Sequence, residues 1–202
     1  GIVTDTGLME NDAQALNPGF EMRMRHGRPY VRTKLAMSLD GKTALANGKS
    51  QWITGEAARK DVQRLRAQSS AIMTGIGTVL ADDPALTVRD VDTGGRQPLR
   101  AVIDPALKML PEARMLKEPG RTLVFTLSQD AGKKGVYTGG NAEIITLPTQ
   151  NRDSMILPVL EYLARREEIN EVLVEAGAIL NGALLQAGLI DELVIYMAPH
   201  IL

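Results

Sequence analysis

The sequence predicts an α/β fold in which helices cover both faces of a mostly parallel sheet. Short apolar runs bounded by glycine, proline, asparagine or aspartate recur along the chain, as is typical of buried strands. Helical segments fall between several of these runs, and such β-α-β alternation favours parallel pairing. Aromatic residues make up only 3% of the 202 residues, so we expect a core of aliphatic side chains and methionine.

The first 28 residues are predicted to form a linker or arm outside the sheet. One weak helical run covers residues 10–16, and the Asn-Pro-Gly sequence at residues 17–19 is a strong turn signal. The first strand follows at residues 30–37, where apolar and polar residues alternate. We therefore place a boundary after residue 28.

The remaining elements follow in alternation. A helix is expected from about residue 55 to residue 69, with Thr54 as its candidate cap and an apolar stripe that includes Val62. Pro158 falls in the first turn of a later helix, where proline is tolerated. The other predicted elements are strands at 71–74, 99–103, 122–127, 142–147, 171–174 and 192–198, a turn or short helix at 75–78, and helices near 155–165 and 178–187.

Composition argues against several classes of function. The 23 basic and 24 acidic residues give a net charge of -1 with no charged tail, so nucleic acid is not an expected partner. Without cysteine, and with two histidines, the chain is not expected to hold a metal. No apolar stretch approaches the roughly 20 residues that cross a bilayer. We predict no membrane partner and a cytoplasmic location, since the N-terminus lacks a basic region followed by a hydrophobic one.

Three predicted strand ends carry residues suited to a ligand site. Lys34 and Asp40 lie in or just after the first strand, and two glycine-containing turns follow other strands at residues 75–78 and 175–177. Ligands of open α/β sheets gather beyond the carboxyl ends of the strands. Glycine lets the backbone approach a phosphate closely, although neither turn is a complete Rossmann fingerprint. Each feature taken singly also fits an ordinary turn, an exposed lysine or a capping carboxylate.

Two arginines and the single tryptophan add to this picture. Arg66 and Arg89 could each hold a phosphate or carboxylate through paired N–H donors, although an exposed arginine on a helix is far commoner. Trp52 lies in a polar loop that leads into a helix. Its ring could plug the core or form a flat wall beside a ring-shaped ligand.

In combination, these segments resemble the reductase domain of the bifunctional riboflavin-biosynthesis deaminase/reductase. The strongest matches are residues 34–42, 50–54, 81–89, 175–177 and 183–185, and the resemblance runs from residue 17 to residue 199. It implies a dihydrofolate-reductase-like fold and a homodimer. It also implies reduction of 5-amino-6-(5-phosphoribosylamino)uracil to 5-amino-6-(5-phosphoribitylamino)uracil by hydride transfer from NADPH, after the ribose ring opens to an imine.

The resemblance also divides the chain. Residues 1–28 correspond to the end of a preceding deaminase domain and its linker, and residues 29–202 to the reductase domain, which we expect to be truncated at its C-terminus. The zinc-dependent deaminase of two-domain members carries histidine-x-glutamate and proline-cysteine-x-x-cysteine signatures, and neither occurs here. Deamination is therefore not assigned to these residues.

Matching the family pattern position by position implies roles for individual residues. Contacts with NADPH are implied for Ala36, Trp52, Thr78, Asp82, Gly177, Ala178, Ile179, Leu180, Asn181, Gly182 and Ala183. Contacts with the substrate are implied for Ser50, Arg66, Leu86, Arg89 and Glu175. The candidate catalytic residues are Lys34, Asp40 and Glu175. Pro105 stands where the pattern can supply a serine, so only its backbone is expected to contact the cofactor.

Two other functions fit parts of this pattern. One is an NADPH reductase of the same fold that acts on a different pterin-like or uracil-like substrate. The other is a non-catalytic cofactor-binding or oligomerisation module in which the glycine turns are structural. The expected convergence of Ser50, Trp52, Arg66, Arg89 and Glu175 argues against the module, because a scaffold does not need converging polar groups.

Overall fold

A computed structural model describes residues 2–45, 53–137, 140–149 and 151–202, and its strands form one sheet of seven. The strands are β1 (Tyr30–Ser38), β2 (Ala71–Gly75), β3 (Leu99–Ile103), β4 (Thr122–Thr126), β5 (Ala142–Thr146), β6 (Glu171–Val174) and β7 (Glu192–Ala198). Their order is β5-β4-β3-β2-β6-β1-β7, and every neighbouring pair is parallel. The predicted α/β fold with a mostly parallel sheet is confirmed.

Seven α-helices accompany the sheet in the described residues. They are α1 (Glu10–Leu16), α2 (Pro18–His26), α3 (Glu56–Gln68), α4 (Ile76–Asp82), α5 (Ala131–Gly135), α6 (Ile156–Arg166) and α7 (Ala178–Gln186). None of them combines the length and apolarity that a membrane crossing requires. Thr54 is not the cap of α3 as predicted: Gly55 holds that position, and no side chain caps the helix.

Side chains of β2 show how the sheet is covered on both faces. Ala71 and Met73 point into one apolar cluster, to which α6 and α7 contribute buried leucines. Ile72 points into a second cluster that contains Val79 of α4. Because successive residues of a strand face opposite sides, these two clusters lie on opposite faces of the sheet. The predicted three-layer arrangement is therefore present.

Helix α2 was not predicted, because its first residues read as a turn. Pro18 occupies the first helical turn, where a missing N–H costs no hydrogen bond, and Gly27 ends the helix with a positive φ of 69°. Gly19 is buried, and a side chain there would meet Glu171 and Asn170 at the start of β6. The second half of the predicted arm thus packs directly against the sheet.

A partly buried aspartate, Asp191, fixes the entry of the chain into β1. Asp191 accepts hydrogen bonds from Arg28 Nη1 at 2.6 Å and Arg28 Nη2 at 2.8 Å. Its Oδ2 also accepts from the Val31 amide at 2.8 Å. This charge-assisted, bidentate pair ties the segment after α2 to the start of β7.

Gly19→Ala should destabilise the protein by about 1–3 kcal/mol, the usual cost of overpacking. The added Cβ would lie 2.5 Å from Glu171 Cγ and 2.8 Å from the Asn170 carbonyl oxygen, and the backbone oxygen cannot easily move away. Gly77→Ala in α4 is the control, because its Cβ would enter open space. We expect that control to be neutral or more stable by up to about 1 kcal/mol. Urea denaturation measures both, and equal stabilities would contradict the close packing of α2.

Candidate functional site

The sheet has a step at its centre because β6 is shorter than β1. Val174, the last residue of β6, pairs with Thr33, whereas β1 continues alongside β7 as far as Ser38 and Ala198. Glu175 therefore leaves β6 beside the middle of β1. Its amide donates to the Met73 carbonyl at 3.0 Å, and its carbonyl accepts from Thr74 Oγ1 at 2.7 Å. These bonds fix the backbone from which the carboxylate projects.

Arg66 of α3 reaches this carboxylate and forms a bidentate ion pair with it. Arg66 Nε lies 2.5 Å from Glu175 Oε1, and Nη2 lies 3.0 Å from Oε2. Arg66 Nη1 donates to the Thr87 carbonyl at 2.9 Å. Lys34 Nζ lies 4.0 Å from Glu175 Oε2, and the side chains of Arg66 and Glu175 are only 12% and 11% exposed. We call Lys34, Arg66 and Glu175 the charged cluster.

The charged cluster keeps its carboxylate ionised and carries an excess of positive charge. Burial alone would raise the pKa of Glu175, but the charge and hydrogen bonds of Arg66, followed by the charge of Lys34, lower it overall. The two cations Lys34 and Arg66 thus surround the single anion Glu175. A ligand with negative charge or carbonyl oxygens would balance the excess positive charge of the charged cluster.

The segment at residues 83–97 crosses α3 and supports the charged cluster from the other side. Arg89 donates its amide to Gln63 Oε1 at 2.9 Å, and Arg96 Nη2 donates to the Ala67 carbonyl at 2.7 Å. Leu86 has a positive φ of 48°, and its side chain is buried in the core. Only the backbone of Leu86 is therefore placed to contact a ligand. The side chain of Arg89 is exposed.

The two glycine-containing turns meet at the ends of β2 and β6. The Gly177 amide donates to Thr78 Oγ1 at 3.3 Å, which joins the start of α7 to α4. Helix α7 begins without a side-chain cap, so N–H groups of its first turn are open to an anion. Asn181 Nδ2 donates to the Ala176 carbonyl at 2.8 Å, while its buried Oδ1 has no hydrogen-bond partner among the described residues.

The other predicted cofactor residues differ in what they can offer. Ala178 and Ile179 are exposed at the start of α7, and Asp82 is exposed at the end of α4. Leu180 is buried in the core, so its side chain is not available. Ala36 pairs with Tyr196 across β1 and β7. Gly182 and Ala183 follow within α7, while Ser50 and Trp52 lie outside the described residues.

Asp40 lies in the turn after β1 and holds that turn together. Its Oδ1 accepts from Ser38 Oγ at 2.5 Å and from the Leu202 amide at 3.2 Å. Lys42 Nζ lies 3.3 Å from Asp40 Oδ2 and also donates to the Leu202 carbonyl. These contacts are those of a residue that fixes a turn to the segment after β7. Its catalytic role stays a prediction.

A further pair of polar residues escaped the sequence analysis. Tyr196 of β7 donates its hydroxyl to Asp61 Oδ2 of α3 at 2.7 Å. Tyr196 also lines a cavity of about 620 Å³ between the start of α3 and residues 195–200. No local motif marks this pair, because its members lie on different elements far apart in the chain. Among the described residues, no group of three histidine, aspartate or glutamate side chains is arranged to hold a metal.

Comparison with known proteins decides the family. The model of the RibD C-terminal domain matches residues 29–202. The chain belongs to this family. It is 46% identical to riboflavin biosynthesis protein RibD of Escherichia coli K12, in an alignment that covers 100% of this chain and 57% of that protein.

Two solved structures share this RibD C-terminal fold. Acinetobacter baumannii RibD, form 2, is 39% identical with a TM-score of 0.84, over 100% of this chain and 55% of that one. A Thermotoga maritima diaminohydroxyphosphoribosylaminopyrimidine deaminase/5-amino-6-(5-phosphoribosylamino)uracil reductase is 31% identical with a TM-score of 0.80, over 96% of this chain and 52% of that one. The chain thus spans about half the length of these relatives. The likeness agrees with the predicted dihydrofolate-reductase-like fold.

Asp40→Asn should destabilise this RibD C-terminal domain near neutral pH but much less in acid. The hydrogen bond from Ser38, followed by those from Leu202 and Lys42, lowers the pKa of Asp40 to about 2. A carboxylate with a lowered pKa adds stability above its ordinary pKa of about 3.9, and this stability is lost as the pH falls towards 2.

The measurement is the urea midpoint of wild type and Asp40→Asn at several pH values. We expect the difference between them to shrink between about pH 4 and pH 2. Asp5→Asn is the control, because Asp5 is exposed near the N-terminus and bonds only locally, to the amide of Thr6. A difference for Asp40→Asn that stays constant with pH would show that the carboxylate charge is not what stabilises the turn.

Proposed function

We propose that this chain reduces 5-amino-6-(5-phosphoribosylamino)uracil to the phosphoribitylamino compound, with NADPH as the hydride donor. The observation that carries the proposal is the buried charged cluster at the central step of the sheet, in a chain of the RibD C-terminal family. The name of the Thermotoga relative includes this reductase activity. The deaminase activity in that name belongs to the Thermotoga protein. We propose only the reduction for this chain.

The remaining donors of Arg66 support its role in holding the substrate. A guanidinium has five N–H donors. Arg66 uses three of them, two on Glu175 and one on the Thr87 carbonyl. Each of its two terminal nitrogens therefore keeps one N–H that can bind a phosphate or carbonyl oxygen. The exposed guanidinium of Arg89 would share the phosphate of the substrate in this proposal.

Lys34 and Glu175 would hold the ribose and the heterocycle. Reduction of an imine requires a hydride on carbon and a proton on nitrogen. Lys34 is the proton source in our proposal, because its ammonium lies beside the ionised Glu175 and is only 21% exposed. Glu175, fixed by Arg66, would keep that ammonium in place. The protein's contribution is thus to bring the reacting groups to close distance and to supply the proton.

The start of α7 has the groups that a dinucleotide requires. Uncapped N–H groups follow Gly177, and the hydroxyl of Thr78 lies beside them. The buried Oδ1 of Asn181 accepts no hydrogen bond from the described residues and could accept one from a ligand. These features fit a pyrophosphate with a neighbouring amide or hydroxyl. NADPH bound there would supply the hydride. Asp82 and residues 177–183 would hold it, with Leu180 contributing only its backbone.

We further propose that the chain forms a homo-oligomer through the exposed face of β7. Leu193, Ile195 and Met197 alternate along this strand, on one face of it, and are 50%, 43% and 53% exposed. Such an apolar row on an exposed face favours contact with a partner. Sedimentation velocity measures the oligomeric state, and a monomer at every concentration would refute the homo-oligomer.

The cytoplasmic location expected from the sequence stays a prediction.

The direct test is substrate-dependent oxidation of NADPH by the purified protein. We expect oxidation with the phosphoribosylaminouracil, and slower oxidation when NADH replaces NADPH. Pterin-like compounds serve as alternative substrates in the same assay. Turnover with a pterin-like compound alone would favour a reductase of the same fold with a different substrate. Absence of NADPH oxidation with every substrate tested would refute the proposed reductase function.

Arg66→Ala should raise the KM for the aminouracil at least about tenfold, since charge-assisted hydrogen bonds contribute roughly 1.5–3 kcal/mol. The Kd for NADPH, measured by fluorescence titration, should stay within about twofold, because the cofactor residues lie on other elements. The control is Lys60→Ala, since Lys60 lies on the same helix and its side chain is 70% exposed. An equal loss of NADPH affinity in Arg66→Ala would contradict this division of roles.

A further inference from the structure

The cavity between α3 and β7 has one wall that the proposed function does not explain. It is lined by residues 53–55 and 57–58 at the start of α3, and by residues 195–200 at the end of β7. On the helix side the lining includes Ala57 and Ala58, whose small side chains leave room for a planar ligand. On the strand side it includes the phenol ring of Tyr196 and the imidazole of His200.

The hydroxyl of Tyr196 is held in one orientation by the helix. Its bond to Asp61 Oδ2 is 2.7 Å long, and Asp61 lies one turn beyond Ala57 and Ala58 on α3. A phenol has a single proton and also accepts hydrogen bonds. Because its O–H bonds to Asp61, the hydroxyl has only its acceptor lone pairs left for a ligand.

The ring of Tyr196 also belongs to the same surface as the charged cluster. Tyr196 pairs with Ala36, two residues beyond Lys34 on β1, so all three side chains project from one face of the sheet. Burial, the bond and charge of Asp61 and the charge of Glu175 together raise the pKa of Tyr196 far above its ordinary value. The phenol therefore stays protonated throughout the range in which the protein would work.

We propose that Tyr196 is a specificity residue whose hydroxyl accepts a hydrogen bond from an N–H or amino group on the heterocycle of the substrate. Asp61 is its positioning residue, since it accepts the hydrogen bond of the phenol O–H and so leaves the oxygen lone pairs for the ligand. This inference rests on the proposed function. An aminouracil suits the arrangement, because it is flat and carries N–H groups on the ring and on its exocyclic nitrogens.

The test is steady-state kinetics of Tyr196→Phe, with the aminouracil and NADPH varied separately. Loss of one hydrogen bond should raise the KM for the aminouracil about three- to tenfold. The kcat, the KM for NADPH and the thermal midpoint should stay close to wild type. Tyr162→Phe is the matched control, because Tyr162 packs its ring edge against Phe125 on the face covered by α6.

Substitutions of Asp61 separate positioning from packing. Asp61→Asn keeps an oxygen that can accept the hydrogen bond of the phenol O–H. The KM of this variant for the aminouracil should therefore remain near wild type. Asp61→Leu removes the acceptor and should raise the KM for the aminouracil as Tyr196→Phe does. If Tyr196→Phe fails to fold, the comparison of these two variants decides the question alone.

The possible outcomes separate the inference from the function beneath it. An active wild type with a KM in Tyr196→Phe equal to that of Tyr162→Phe overturns the inference and leaves the reductase function standing. A rise confined to the KM for NADPH also overturns it, because the cavity would then hold the cofactor. A wild type without turnover overturns the proposed function and the inference together.

Discussion

The buried pair of Arg66 and Glu175 links parts of the chain that share no local sequence. It joins helix α3 to the end of β6, reaches the 83–97 segment through the Thr87 carbonyl, and draws in Lys34 from β1. Burying both charges is costly unless each is fully paired, and removal of one partner leaves the other stranded. The pair and its two further contacts therefore fix the four parts relative to one another. Its geometry sets the position of everything proposed for the substrate.

The length difference between strands turns this pair into a site. Had β6 continued beside β1, Glu175 would be one more residue of the ladder, with its backbone bonded on both sides. Instead β6 stops after four residues, and the Glu175 carboxylate projects where β1 and β7 are still paired. Helix α3 packs over this part of the sheet and supplies both Arg66 and Asp61. One helix thus connects the charged cluster with the cavity beside Tyr196.

The sequence predicted most elements because burial leaves a strong local pattern. The strand at residues 71–75 is nearly all buried, as a central parallel strand must be, and Val62 of the apolar stripe that predicted α3 is buried as well. The sequence did not predict helix α2, because Pro18 and Gly19 resemble a turn when their packing against β6 is not known. Strand order was also beyond local patterns, since β1 lies between β6 and β7, which are far from it in the sequence.

For the site, the sequence supplied the right residue types but not their contacts. Glu175 and Arg66 were singled out separately, and nothing in the spacing shows that they form a bidentate pair. Leu86 and Leu180 were assigned to ligands through family resemblance, yet both side chains face the core. Tyr196 and Asp61 were missed because each looks unremarkable in its own element, and the hydrogen bond between them depends on how α3 crosses the sheet.

The position of β1 in the sheet also constrains how the protein can fold. Its two neighbours, β6 and β7, follow more than 130 residues later in the sequence, so β1 has no described strand partner until residues 171–198 have been made. Until then Val31, which is fully buried in the finished sheet, is left without its strand neighbours. Contacts between such distant segments close slowly and leave apolar surface open to aggregation. A ribosome-bound chain that has completed only β1 to β5 therefore carries an unpaired strand in need of protection.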